Sequence, residues 1–382
     1  MNVRISGGNT SVFFTLLRAG MWGDISKYDY DLWKEVDWAV IYELSEEQSV
    51  VGLVAAGIEW LKCNNPQFMI PQEWSLQFIG STLQLEQRNK AMNAFVASLI
   101  SKMRAEGIYT LLVKGQGIAQ CYEKPEWRAC GDVDLFLSKD NYAKAKETLV
   151  PLATSVEEEY VREKHLGMTI DGWVVELHGH LYSGLSSRIE RELDDVLQDT
   201  FYCGNVRSWN NNGVQVFQLG VENDVFYVFT HILQHFYKEG VGLRQICDWC
   251  RLLYTYKDSL NYGLLEQRIK RAGLMSEWKA FYNLANKYLG MPDLVNGFGI
   301  MVHDSRYDKK ADRIMEFVLK AGNMGHNRDT TYMKRPYLVR KSISMGRRVS
   351  DIWRHSKIFP MNSLRFSFAI MYNGVRSAIR GE

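Results

Sequence analysis

The chain is poor in the materials of several protein classes. Only seven of its 382 residues are proline and 30 are glycine, which excludes collagen-like and proline-rich scaffolds. Its six cysteines, Cys63, Cys121, Cys130, Cys203, Cys247 and Cys250, fall at irregular spacings. A chain of this length buries a core without disulfide staples, so reduced thiols in a cytoplasm are expected. The longest apolar run, 50–61, is interrupted by Glu59; a bilayer span needs roughly 20 apolar residues. The opening MNVRISGGNT lacks the apolar centre of a secretory signal. There is no internal repeat and no low-complexity tract.

What is present is an ordinary globular mixture, 46% hydrophobic and 24% charged. The net charge of +2 hides an asymmetry. Residues 331–382 hold eleven Lys and Arg against two acids, and the remaining 330 residues hold 35 basic and 42 acidic side chains. The basic end has three readings: a solvated helical face, a polyanion-binding surface, or a contact with anionic lipid through an amphipathic helix over 363–380.

Texture divides the chain into an N-terminal helical region (1–105), an α/β core (106–219) and a C-terminal helical domain with the basic end (220–382). Apolar residues recur at three and four in Phe13-Leu16-Leu17 and in Val51-Val54-Ala55-Ile58. A long helix is expected over 86–104, closed by Gly107. Strands are expected over 109–113, 132–137, 168–170 and 173–177, the last two joined by a tight turn at Asp171-Gly172. Helices return over 223–237, 243–256, 262–272, 277–289 and 309–321. The fold class is therefore α+β, a small sheet core flanked by helices.

The informative stretch is LLVKGQGIAQCYEKPEWRACGDVDLFL, 111–137. A strand runs into Lys114 and Gly115, and a short helix is expected over 116–122. Glycine permits close backbone approach, and the first amides of a helix favour an anion such as phosphate, beside which Lys114 adds positive charge. Asp132 and Asp134 lie two apart on a strand and so share a face. Two carboxylates that close repel, and a divalent cation removes the conflict. Glu176, the one acid inside the apolar strand Trp173-Val174-Val175-Glu176-Leu177, fits as a third ligand. By alternation His178 and His180 lie beside it and are expected to line the cleft.

These residues resemble the nucleotidyltransferase superfamily of the DNA polymerase β type. The KG turn, CYEKPEWRACGDVDLFL, VELHGHL, THILQH and LRQICDWCRLL are similar to a bacterial group of uncharacterised nucleotidyltransferases, over about 11–255. The resemblance implies that Asp132, Asp134 and Glu176 bind metal and are catalytic, with Glu176 able to act as base toward an incoming hydroxyl. It implies two Mg²⁺ ions and an NTP substrate whose nucleoside monophosphate passes to an acceptor with release of pyrophosphate. Lys114, Gly115, Gln116, Gly117 and Arg128 are then nucleotide-binding candidates. The wider superfamily carries Gly-Ser or Gly-Gly at the turn, where this chain reads Gly115-Gln116-Gly117. That departure motivates the alternative of a catalytically inactive module that binds a nucleotide or a macromolecular partner. The acceptor class, whether small molecule, protein or RNA, has no motif.

Other features have plainer readings. Trp22, Trp33, Trp38, Trp60 and Trp74 are expected in the core of the N-terminal helices. Cys247 and Cys250 form a CxxC on an amphipathic helix, without the second pair that zinc requires. His231 and His235, four apart, read as a packed or cleft-lining pair. Arg244 and Asp248, also four apart, read as an ion pair.

Overall fold

The computed structural model describes residues 7–23, 33, 35–161, 163–238, 240–294, 299–325 and 337–380. Four helices come first: α1 (Gly8–Trp22), α2 (Trp38–Glu47), α3 (Val51–Asn64) and α4 (Gln72–Ala105). Asp37 caps α2 by accepting from the amides of Ala39 and Val40. Gly20 and Gly57 let α1 and α3 cross closely. A Cβ at Gly57 would lie 1.9 Å from the Leu16 carbonyl, and one at Gly20 would lie 1.8 Å from that of Leu53.

The sheet follows. Its elements are β1 (Thr110–Val113), α5 (Gly115–Ala119), β2 (Asp132–Leu137), α6 (Lys139–Leu149), β3 (Ser155–Val156), β4 (His165–Ile170), β5 (Trp173–His178), α7 (Ser187–Phe201), β6 (Val206–Asn211) and β7 (Val214–Leu219). The seven strands are ordered β3-β4-β5-β2-β1-β7-β6. The pairs β2/β5 and β1/β7 are parallel and the others antiparallel. The α+β class expected from sequence is therefore the one observed. The helices that complete the fold are α8 (Val221–Lys238), α9 (Leu243–Thr255), α10 (Tyr262–Ala272), α11 (Met275–Leu289), α12 (Asp308–Ala321), α13 (Tyr337–Ser356) and α14 (Pro360–Arg380).

Alternation along the strands separates two cores. Val133, Leu135 and Leu137 of β2, with Val175 and Leu177 of β5, pack against Met92, Val96 and Ile100 of α4 and Tyr142 and Leu149 of α6. The opposite face carries Leu111, Val113 and Phe136 into a larger core. That core is shared with α1, with Phe229 and Phe236 of α8 and with Trp249 of α9. Trp38 is buried in it, and Trp22, Trp33, Trp60 and Trp74 pack against it. Because the odd positions of β2 are taken by the first core, Asp132 and Asp134 must face the second, where α8 and α9 form a roof.

Candidate active site

The site is assembled at the centre of the sheet. In the parallel pairing of β2 with β5, Asp134 lies opposite Glu176 and Phe136 opposite His178. Ligand atoms of Asp132, Asp134 and Glu176 all lie within 4.8 Å of one another. The sequence-derived trio thus converges on one spot from two neighbouring strands. Glu176, His178 and a third residue, His165 of β4, form a second such group within the same 4.8 Å limit.

Lys114 enters from β1. Its backbone is left-handed, with φ 57° and ψ −144°, and Gly115 follows at φ 40°. A side-chain-bearing residue seldom adopts this region, and such strain concentrates at functional sites. The turn sends the Lys114 Nζ to 2.8 Å from Asp134 Oδ1. Gly115 is held against β2, where a Cβ would come 3.2 Å from Cys130 Sγ. Asp134 is buried, and its Oδ1 also contacts His178 Nε2 at 2.8 Å. Glu176 Oε2 lies 3.1 Å from His165 Nε2 and 3.4 Å from His178 Nε2.

Charge is unevenly balanced here. The Asp132 carboxyl is raised, first by its neighbour Asp134 and then by burial, against the pull of Lys114. Burial pushes Glu176 up, but hydrogen bonds to His165 and His178 and the charge of Lys114 outweigh it and hold the carboxyl well below its usual range. His178 is held above its ordinary value: burial disfavours its charge, yet Asp134 and Glu176 more than compensate. Lys114 is likewise held charged by Asp134 against its burial. The Asp132 carboxylate accepts no hydrogen bond from any described residue. Three hard oxygen donors in repulsion, one of them without a protein partner, are a donor set suited to Mg²⁺.

A family model described as "Uncharacterised nucleotidyltransferase" matches residues 34–290, more than half of the chain. The chain belongs to this nucleotidyltransferase family. No curated protein and no solved structure matches it.

Several of the candidate residues in this family member make their main contacts outside the carboxylate trio. Arg128 is held by the roof helix α9. It is buried and forms a two-pronged pair with Asp248, with Nη2–Oδ2 at 2.5 Å and Nε–Oδ1 at 3.1 Å, and Tyr122 Oη donates to the same carboxylate at 2.9 Å. Asp248 is thereby taken from Arg244, so the expected pairing four apart is not formed. Arg244 instead donates from Nη1 to the Ala129 carbonyl at 3.2 Å. Its Nε is buried with no partner among the described residues, and its charge reaches Asp132.

The turn helix also differs. It spans Gly115–Ala119 rather than 116–122, and it is buried throughout. The Gly117 and Ile118 amides donate to the Lys114 carbonyl at 3.1 and 3.2 Å. The Gln116 amide is buried against α4, donating to Asn89 Oδ1 at 2.8 Å. Gly117 is a packing glycine: a Cβ would lie 2.3 Å from Gln218 Nε2. His180 lies beyond the end of β5 and contacts Asp194 Oδ1 of α7 at 2.7 Å, not the carboxylate trio.

Two contributors escape a reading of isolated motifs. His165 has no motif of its own. Counting outward from the Asp171-Gly172 turn, however, places it opposite His178, as observed. Tyr227 of α8 is the other: it and His231, already read from sequence as one of a packed or cleft-lining pair, both sense Lys114. Burial and then Lys114 hold His231 well below its ordinary value, and its Nε2 lies 3.1 Å from that of His235. Cys247 and Cys250 are buried thiols, both raised by burial, which fits packing.

Proposed function

We propose that the protein is a Mg²⁺-dependent nucleotidyltransferase of the DNA polymerase β type, acting in the cytoplasm on an NTP and an acceptor hydroxyl. The convergence of Asp132, Asp134 and Glu176 within 4.8 Å, beside Lys114, carries this reading. Asp132, Asp134 and Glu176 would hold the metal. Bound there, Mg²⁺ lowers the pKa of an acceptor hydroxyl and stabilises charge on departing pyrophosphate.

The chain's own residues supply the rest. Lys114 offers an ammonium to the phosphate oxygens from a strained turn that fixes its direction. Arg244 offers its unpartnered Nε, and Arg128, though paired with Asp248, keeps an unpartnered Nη1 for the same role. In the transfer, the acceptor oxygen bonds to the α-phosphorus and the bond from that phosphorus to the bridging oxygen of pyrophosphate breaks. The acceptor proton passes by way of the partly exposed Glu176 to solvent, because hydrogen bonds to His165 and His178 hold that carboxyl too far below its usual range to keep it. The acceptor itself is a small molecule, a protein side chain or an RNA end. The basic 331–382 segment has no part in this chemistry and is a candidate surface for an anionic partner.

Incubation with each NTP and Mg²⁺, followed by pyrophosphate detection, tests the proposal. The D132N/D134N double variant should lose turnover while keeping its circular-dichroism spectrum; turnover equal to the parent's would refute the site. The buried turn helix, with Gln116 in place of Ser, favours a second reading, a nucleotide-binding module without turnover. A labelled nucleotidyl adduct on any acceptor would eliminate it.

A further inference from the structure

The C-terminal helices turn apolar side chains outward. On α14, Met361, Leu364, Phe368 and Met371 are 80%, 55%, 74% and 42% exposed. Spacings of three and four place them on one stripe. The sequence prolongs that spacing through Val375 and Ile379. The inward face of α14 is already settled, because Ser363 and Phe366 are buried and Asn362 donates to the Gly273 carbonyl and to Glu277. On α13, Val349 and Trp353 are 58% and 66% exposed, one turn apart. A soluble surface seldom leaves such stripes uncovered without a partner.

The charge beside the stripe identifies the partner. Arg365 lies one turn from both Met361 and Phe368. Its guanidinium converges with that of Arg188 on Gly273: a Cβ there would be 3.4 Å from Arg365 Nη1 and 3.5 Å from Arg188 Nη1. Arg191 belongs to the same cluster and, with Arg188, lines a groove of about 440 Å³. None of the three arginines forms an ion pair or hydrogen bond with a described residue. The acids of that groove are already engaged, Glu192 and Asp195 by Arg271 and Asp194 by His180. α14 itself contains no acid. Of the basic 331–382 segment, residues 331–336 and 381–382 lie outside the described residues.

We propose that α13 and α14, with Arg188 and Arg191 of α7 beside them, form a docking face for an anionic phospholipid bilayer. The apolar stripe seats at the boundary of headgroups and acyl chains, and the arginines meet lipid phosphates. An RNA partner would use the arginines and leave Met361, Leu364 and Phe368 in water. Among the described residues no helix is long and apolar enough to cross a membrane, which fits a helix lying on the surface. None of these residues belongs to the carboxylate site, so the proposal stands or falls independently of NTP turnover.

Co-sedimentation of the full chain with phosphatidylcholine vesicles, with and without phosphatidylglycerol, tests it. The parent should pellet with the anionic vesicles, and less so as salt rises. L364S/F368S should weaken binding at least about tenfold without lowering the melting temperature, since both side chains are exposed. R188Q/R191Q/R365Q should weaken it roughly fivefold per arginine. A parent that stays in the supernatant with both vesicle types overturns the proposal. So does an L364S/F368S variant that binds anionic vesicles, or immobilised RNA, as the parent does, because charge alone would then suffice. A parent dimer that L364S/F368S converts to monomer, with no vesicle binding by either, overturns it in favour of self-association.

Discussion

Arg128 Nη2 lies 2.5 Å from Asp248 Oδ2 in a buried pair, and this pairing leaves Arg244 without a carboxylate. The pair ties the loop before β2 to the roof helix α9, while Arg244, one turn before Asp248, is left with an unpartnered Nε and a charge that Asp132 senses. The two arginines should therefore fail differently when changed. R128Q strands a buried carboxylate and should lower stability by about 3–5 kcal/mol, read from urea unfolding. R244Q should keep its unfolding midpoint within a few tenths of a unit of denaturant and instead reduce kcat/KM for the NTP by roughly tenfold or more. Equal stability losses in the two variants would contradict this division of roles.

The close crossing of α1 and α3 makes a stability prediction remote from the site. In G57A the added methyl meets the Leu16 carbonyl, a backbone atom that cannot swing aside. Overpacking of this kind costs about 1–3 kcal/mol or more. Thermal unfolding should show a clear drop for G57A and almost none for G80A, where nothing lies within 4 Å of the added methyl.

Glu277 sets a pH dependence. It is buried in α11, accepting at Oε1 from Tyr237 Oη at 3.1 Å and Asn362 Nδ2 at 2.8 Å, while Oε2 has no partner. Burial raises its carboxyl above the ordinary value, and the hydrogen bonds from Asn362 and Tyr237, with the charge of Lys310, only partly oppose this. The folded protein then holds the proton more tightly than the unfolded chain. This contribution is complete below the ordinary carboxylate value and is lost as pH rises through the raised one. E277Q keeps both hydrogen bonds and removes the titration. Its stability relative to the parent should therefore rise between about pH 4 and pH 8, measured by denaturant unfolding. A difference that stays flat across that range would show that Glu277 is ionised in the folded state.

Much of the carboxylate site was legible because strand alternation is a strict code. Asp132 and Asp134 had to share a face, and the Asp171-Gly172 turn fixed the ladder that sets His165 across from His178. The cationic side was less legible. Whether Asp248 pairs with Arg244 on its own helix or with Arg128 from a distant loop depends on packing that no local spacing encodes. The sheet is also wider than the expected strands imply. Asn212-Gly213 carries a hairpin signal like that of Asp171-Gly172, and it joins β6 to β7, which extend the sheet beyond β1. α4 begins at Gln72, well before the expected 86, because its first turns carry exposed Leu76, Ile79 and Leu83 that blur the inward-facing period. α7 was not expected either, although Ile189, Leu193 and Val196 mark a buried stripe between charges.

The measurement that bears most directly on the carboxylate trio is a thermal-shift comparison of the parent and D132N/D134N with each NTP, with and without Mg²⁺. A ligand at a hundredfold excess over its Kd adds about 2.7 kcal/mol to the folded state. The account predicts that at least one NTP raises the parent's melting temperature only when Mg²⁺ is present, and that the variant shows no such rise. A parent that responds to no NTP, or a variant that responds as the parent does, would contradict a metal-nucleotide site at Asp132, Asp134 and Glu176.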